Sequence, residues 1–176
     1  MKQPKVYTFK NNKLTGEVII MAVNVALIIF IVIKVYQHPL IALFLALLPA
    51  TFLYFQVYVV RVINQFNEYD RGKQLIISDG REVATLIYQD QTLVLNRADL
   101  VRVELYEQKD MGKFGKYDYM VIYTIDDKKI LITKFTVPSL LYDKIIETFL
   151  SKVPRVYFKK QFNYIDQQKF PQAGLF

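Results

Sequence analysis

The sequence predicts an α-helical membrane hairpin followed by an α+β, mainly β, domain on the cytoplasmic side. Three observations predict it. Two apolar runs of about 20 residues lie in the first third of the chain. Basic residues gather on one side of those runs. From residue 74 the pattern switches to short runs rich in Val, Ile, Leu and Tyr, separated by turn formers.

The apolar runs are residues 18–36 and 40–60, each carrying at most one formal charge. They concentrate the excess of a chain that is 53% hydrophobic over 176 residues. At about 1.5 Å of rise per residue, each run is long enough to cross a hydrocarbon core of about 30 Å. The first is too long for a secretory signal, lacks a small-x-small cleavage site before Gln37, and is followed at once by a second. The hairpin is therefore expected over 14–70, after a basic cytoplasmic segment 1–13.

Lys2, Lys5, Lys10 and Lys13 precede the first run, and Arg61, Arg71 and Lys73 follow the second, whereas the connection holds only Lys34 and His38. By the positive-inside bias both termini face the cytoplasm, which makes the expected location the cytoplasmic (inner) membrane and the topology multi-pass. Pro39 suits the first turn of a helix, where its missing N–H is unneeded. Pro49 interrupts the second run and is expected to kink it. Ala42, Ala46 and Ala50 recur every four residues, as do Ala22 and Ala26, and such small faces let helices approach closely in lipid. They point to packing within the hairpin or to self-association. Asn24, deep in the first run, is expected to find a hydrogen-bonding partner across a helix interface, because an unpaired amide is expensive there. The second helix is expected to continue through Val62–Glu68, since no breaker occurs before Gly72.

In the domain expected at 71–153, strands are predicted at about 74–78, 83–89, 92–97, 100–107, 117–125 and 129–135. Asp79-Gly80 is the strongest turn signal, because glycine accepts the positive φ of a tight hairpin; Asp90-Gln91 and Asp126-Asp127 are weaker ones. After Pro138, residues Leu140, Leu141, Ile145, Phe149 and Val153 line one side of an amphipathic helix, with Thr136 or Ser139 near its N-cap.

The run from Thr92 to Leu105, with a strand break at Ala98-Asp99, and the run from Tyr119 to Thr133 resemble strand pairs of bacterial pleckstrin-homology-like (PH-like) domains that follow a two-helix membrane hairpin. The resemblance implies a bent antiparallel sheet or partly open barrel capped by a C-terminal helix. It also implies a binding or assembly role and no catalytic residues. Eukaryotic members of that family hold phosphoinositide phosphates with a basic first hairpin loop; the loop equated with it here, Ser78–Glu82, offers Arg81 between acids, which argues against that use.

The chain has no Cys and no Trp, and His38 is its single His, which excludes thiol chemistry and an imidazole-built metal site within one chain. No nucleophile elbow, phosphate-binding glycine loop or HExxH motif occurs, so a non-enzymatic protein without cofactors is expected. The most site-like segment is the loop 107–117. Lys109, Lys113 and Lys116 could rest on anionic headgroups there while Phe114 inserts; an ordinary solvated loop is the plainer reading. The tail 154–176 mixes bases with aromatics and reads as an added strand, a membrane-surface strip or a docking segment; nucleic acid is not an expected partner, because no binding motif accompanies it.

Three functional classes follow. The leading one is a membrane-anchored adaptor or accessory subunit with protein partners. The alternatives are a sensor of anionic lipid surfaces and, from Asn24, Pro49 and the alanine faces, an oligomeric pore or transport component.

Overall fold

The computed structural model describes residues 4–9, 14–78, 82–88, 91–109, 117–137 and 139–171, with the backbone alone at 139–141. The element order is β1 (Lys5–Thr8), α1 (Leu14–Lys34), α2 (Pro39–Asp70), β2 (Gln74–Ile77), β3 (Val83–Tyr88), β4 (Gln91–Asn96), a 3-10 turn (Arg97–Asp99), β5 (Leu100–Gln108), β6 (Tyr119–Thr124), β7 (Lys129–Thr133), α3 (Ser139–Thr148) and β8 (Arg155–Lys160). Two compact units result: a sheet unit of Met1–Asn11 with Gln65–Phe176, and a helical unit of Asn12–Asn64.

In the sheet unit, four antiparallel strands follow the order β1-β2-β3-β4, and a second sheet follows β7-β6-β5-β8. Alternation sets the buried face. Leu75 and Ile77 of β2, Ala84 and Leu86 of β3, and Leu95 of β4 point inward, joined by Val103, Leu105, Met120, Ile122, Ile130 and Ile132 of the second sheet. Ile145, from the apolar side of α3, joins the same core, as do Tyr142, Phe149 and Val153. Phe149 and Val153 lie beyond the last residue of α3, so the helix is shorter than the apolar spacing suggested. Leu140 and Leu141 lie outside the described side chains.

The strand break expected at Ala98-Asp99 is the 3-10 turn that separates β4 from β5 and passes the chain from one sheet to the other. The β6–β7 turn forms at Asp126-Asp127, where Asp127 takes a φ of 57° and its N–H donates to the Thr124 carbonyl. The Asp79-Gly80 and Asp90-Gln91 turns fall at least partly outside the described residues.

Three expectations are corrected. The expected 71–153 domain is wider, because β1 pairs antiparallel with β2, Thr8 standing opposite Gln74, and β8 pairs with β5. Two short strands distant in sequence from their partners carry too little periodicity to be assigned alone. The fold is also not wholly antiparallel, since β8 runs parallel to β5. Finally, Ser78–Glu82 joins β2 to β3; the first connection of the sheet, from β1 to β2, contains both long helices.

In the helical unit, α1 and α2 are each long and apolar enough to cross a membrane. No residue of α1 is buried. Its less exposed positions, among them Met21, Asn24, Ile28 and Ile31, fall at alternating spacings of three and four. Ala42, Ala46, Pro49, Leu53 and Gln56 form a matching line on α2, which is one helix through Pro49. The Asn24 amide joins the two lines by donating to Gln56 Oε1 at 3.0 Å.

The Gln65–Asp70 end of α2 belongs to the sheet unit. Phe66 is fully buried and meets Tyr117, Tyr119 and Phe135 edge-on. Helix α2 ends at Asp70, just before Gly72, whose φ of 82° places it in the left-handed region that follows helix ends. Buried Asp70 then accepts hydrogen bonds from the Thr133 hydroxyl and the Thr136 N–H. Buried Lys73 lies 3.6 Å from Asp70 and donates to the Leu131 carbonyl at 2.9 Å. Burial pushes the Lys73 ammonium below its ordinary range, against the pull of Asp70.

Candidate interaction surface

β5 has buried residues on both faces. Val103 and Leu105 serve the hydrophobic core shared by the two sheets; Glu104, Tyr106 and Gln108, at the alternate positions, face the other way. Register sets Tyr106 opposite Tyr119 of β6 and opposite Phe158 of β8. The three rings stack as a ladder across the strands, with centroids 4.5 Å apart for Tyr106–Tyr119 and 4.8 Å for Tyr106–Phe158.

The chain beyond β8 turns back over this face. Asn163 donates to the carbonyls of Tyr106 at 2.8 Å and Tyr117 at 2.7 Å. Gln65 and the Ile165 backbone exchange two hydrogen bonds of 2.7 and 2.9 Å, and Tyr69 donates to the Phe170 carbonyl at 2.6 Å. Asp166 Oδ1 accepts from the N–H groups of Gln168 and Lys169, closing the turn that aims Lys169 inward.

Lys169 occupies an aromatic cage. Its ammonium lies 5.0 Å from the Phe170 centroid, 5.4 Å from Phe158 and 5.5 Å from Tyr106. It also donates to Glu104 Oε2 at 2.9 Å and to the Tyr106 hydroxyl at 2.7 Å. Tyr106 and Tyr123 donate to the same Glu104 oxygen at 2.8 and 3.0 Å, and Arg102 lies 3.2 Å from Oε1. Burial opposes the Glu104 charge, but the hydrogen bonds from Lys169, Tyr106 and Tyr123 outweigh it and hold the carboxyl below its ordinary range. Burial, reinforced by the hydrogen bond to Glu104, raises the Tyr106 phenol and keeps it a donor. These groups are committed to one another, and their joint effect is to fasten the tail.

The residues singled out from sequence do not converge on one place. Lys109 is exposed at the end of β5, its N–H donating to the Lys160 carbonyl of β8 at 2.8 Å. Lys113, Phe114 and Lys116 lie outside the described residues. In the helical unit, Ala42 is buried and Ala46 half-buried, whereas Ala22, Ala26 and Ala50 are exposed. Asn24 pairs with Gln56. Sequence reasoning missed Glu104, Tyr106 and Lys169. The β-branched and aromatic run Val156-Tyr157-Phe158 was the available signal for β8, but nothing sets Glu104 or Lys169 apart from other acids and lysines. Among the described residues no cluster of three His, Cys, Asp or Glu side chains could hold a metal ion.

A protein-family model described as a PH domain matches residues 5–144, from the first residue of β1 into α3. The chain belongs to this PH domain family, and the two long helices lie within the matched stretch. No curated protein matches the chain. No solved structure matches it either.

Proposed function

On the premise of PH-family membership, we propose that this chain is a non-enzymatic, membrane-anchored adaptor or accessory subunit. α1 and α2 cross a bacterial cytoplasmic membrane as a hairpin, and the PH domain meets protein partners in the cytoplasm, where both termini lie.

The observation that carries this reading is the place of the hairpin between two paired strands. Thr8 stands opposite Gln74, so the chain before α1 and the chain after α2 share one sheet and one side of any bilayer between them. An even number of crossings satisfies that, and the positive-inside bias makes the shared side cytoplasmic. Cleavage of α1 as a signal would remove β1 from its sheet. The apolar, unburied surface of α1 calls for a lipid solvent.

Two measurements test the proposal. Because the chain lacks cysteine, His38→Cys and Lys159→Cys give single-thiol reporters; an impermeant maleimide should label the first in intact cells and the second only after lysis. Affinity purification from native membranes in mild detergent, with mass spectrometry and native sizing, should return a stoichiometric partner. A lone monomer overturns the adaptor reading.

A sensor of anionic lipid is the second reading, favoured by exposed Lys159 on β8 and exposed Lys109 just beyond the end of the adjoining β5. It requires binding to anionic liposomes that charge reversal at Lys109, Lys113 and Lys116 abolishes.

A further inference from the structure

β8 ends its sheet, in the order β7-β6-β5-β8. Two hydrogen bonds fix which of its backbone groups face β5: Val103 N–H donates to the Pro154 carbonyl and Lys109 N–H to the Lys160 carbonyl. In a parallel pair the bonded residues alternate. Pro154, Val156, Phe158 and Lys160 therefore spend their main-chain groups on β5, while those of Arg155, Tyr157 and Lys159 point away from the sheet. Tyr157 is 52% and Val156 42% exposed, and Lys159 is exposed as well. An edge with outward donors, outward acceptors and accessible aromatic surface is a template for one more strand.

The charge of the edge selects the occupant. Arg155, Lys159 and Lys160 lie on β8, and exposed Lys152 and Lys109 flank it; Glu107 is the acid in register with Lys159. A second copy of β8 would bring like charges together, which disfavours self-pairing. We propose that the outer edge of β8 receives an extended acidic segment of a protein partner as an added strand, with Lys159 meeting its carboxylates and Tyr157 packing beside its side chains. This deepens the adaptor reading and rests on it.

The test uses the full-length protein in detergent and a fluorescent, N-acetylated peptide of alternating glutamate and valine, read by anisotropy at low salt. Saturable binding is expected, weakened about tenfold by Lys159→Glu. Tyr157→Pro should abolish it with the thermal midpoint unchanged, since that N–H is not bonded to β5 and an edge strand tolerates proline there. The same peptide N-methylated at alternate residues should not bind, which tests strand addition even where the proline variant fails to fold. Equal binding by the methylated peptide, or by Lys159→Glu, overturns the proposal. So does preference for phosphatidylglycerol vesicles over the peptide, which assigns the edge to lipid. A copurifying partner retained by Tyr157→Pro sinks the β8 site and leaves the adaptor reading intact. Peptide binding that depends on β8, with no partner copurifying, sinks the adaptor reading alone.

Discussion

Lys169 reaches back from the C-terminal tail to donate a hydrogen bond of 2.9 Å to Glu104 in β5. Glu104 is 5% exposed and accepts from two tyrosines as well. Glu104→Ala would orphan three donors and should cost about 1–3 kcal/mol. Lys169→Met should cost less, about 1 kcal/mol, because its side chain is 43% exposed. A carboxyl held below its ordinary value in the folded state adds stability above its unfolded pKa of about 4.3, and that stability is lost as pH falls through the folded value. Thermal midpoints measured from neutral pH into acid should thus fall less steeply for Glu104→Gln than for the wild type. Parallel slopes would remove Glu104 from the acid response.

Asp70 and Lys73 place two charges out of water where α2 enters the sheet. Asp70 also holds Thr133 and Thr136, so removing it leaves Lys73 and two further donors without their acceptor. Asp70→Ala should destabilise by about 3–5 kcal/mol. The double variant Asp70→Asn with Lys73→Met should recover part of that loss, since no charge is then left buried alone. Denaturant unfolding of the wild type, Asp70→Asn, Lys73→Met and their double variant in one detergent measures the coupling, and strict additivity would contradict the pairing.

The strands between residues 74 and 133 were legible because each is a short run rich in Val, Ile, Leu and Tyr bounded by turn formers; β2 and β3 alternate in burial, whereas β6 and β7 are buried almost throughout. Ala84 and Leu86, paired with Leu95 and Leu93, need only a short turn to meet. β1 was not legible: four residues among lysines, paired across the whole hairpin. β8 read as a strand, a membrane strip or a docking segment, because its partner β5 lies far upstream and pairs with it in parallel. The Glu104–Lys169 contact rests on the tail folding back, which no local pattern encodes. Alanine spacing picked out Ala42 and Ala46 on the less exposed line of α2 but also Ala22, Ala26 and Ala50, which are exposed. A four-residue repeat marks a helix face without saying what covers it.

Ala42 is 8% exposed, and the Asn24–Gln56 hydrogen bond joins the same two lines of residues. Ala42→Leu should separate the helices and lower the thermal midpoint in detergent. Ala22→Leu should leave the midpoint unchanged. Asn24→Leu should cost about 0.5–2 kcal/mol, the range found for single interhelical hydrogen bonds in membranes. If Ala22→Leu changes native size without changing the midpoint, that exposed face serves self-association instead.

Two arginines hold the C-terminal end of α3. Arg97 Nε donates to the Phe149 carbonyl at 2.8 Å and its Nη2 to the Thr148 carbonyl at 3.0 Å. Arg155 Nη2 donates to the carbonyls of Ile146 at 2.7 Å and Leu150 at 3.1 Å. The last carbonyls of a helix lack intrahelical donors and carry partial negative charge, so each guanidinium satisfies and neutralises them together. Arg97 also sits in the turn that passes the chain from β4 to β5, and its side chain therefore ties the sheet crossover to the core helix. Arg97→Ala should cost about 1.5–3 kcal/mol. Arg97→Lys should recover little of that, because an ammonium cannot span two carbonyls with the fixed fork of a guanidinium. Hydrogen exchange at Ile145 and Leu150 locates the effect: early loss of protection there, ahead of Met120 and Ile132 in the sheet, is the expected result. Uniform loss across both elements would mean that Arg97 supports the whole sheet unit rather than the end of α3.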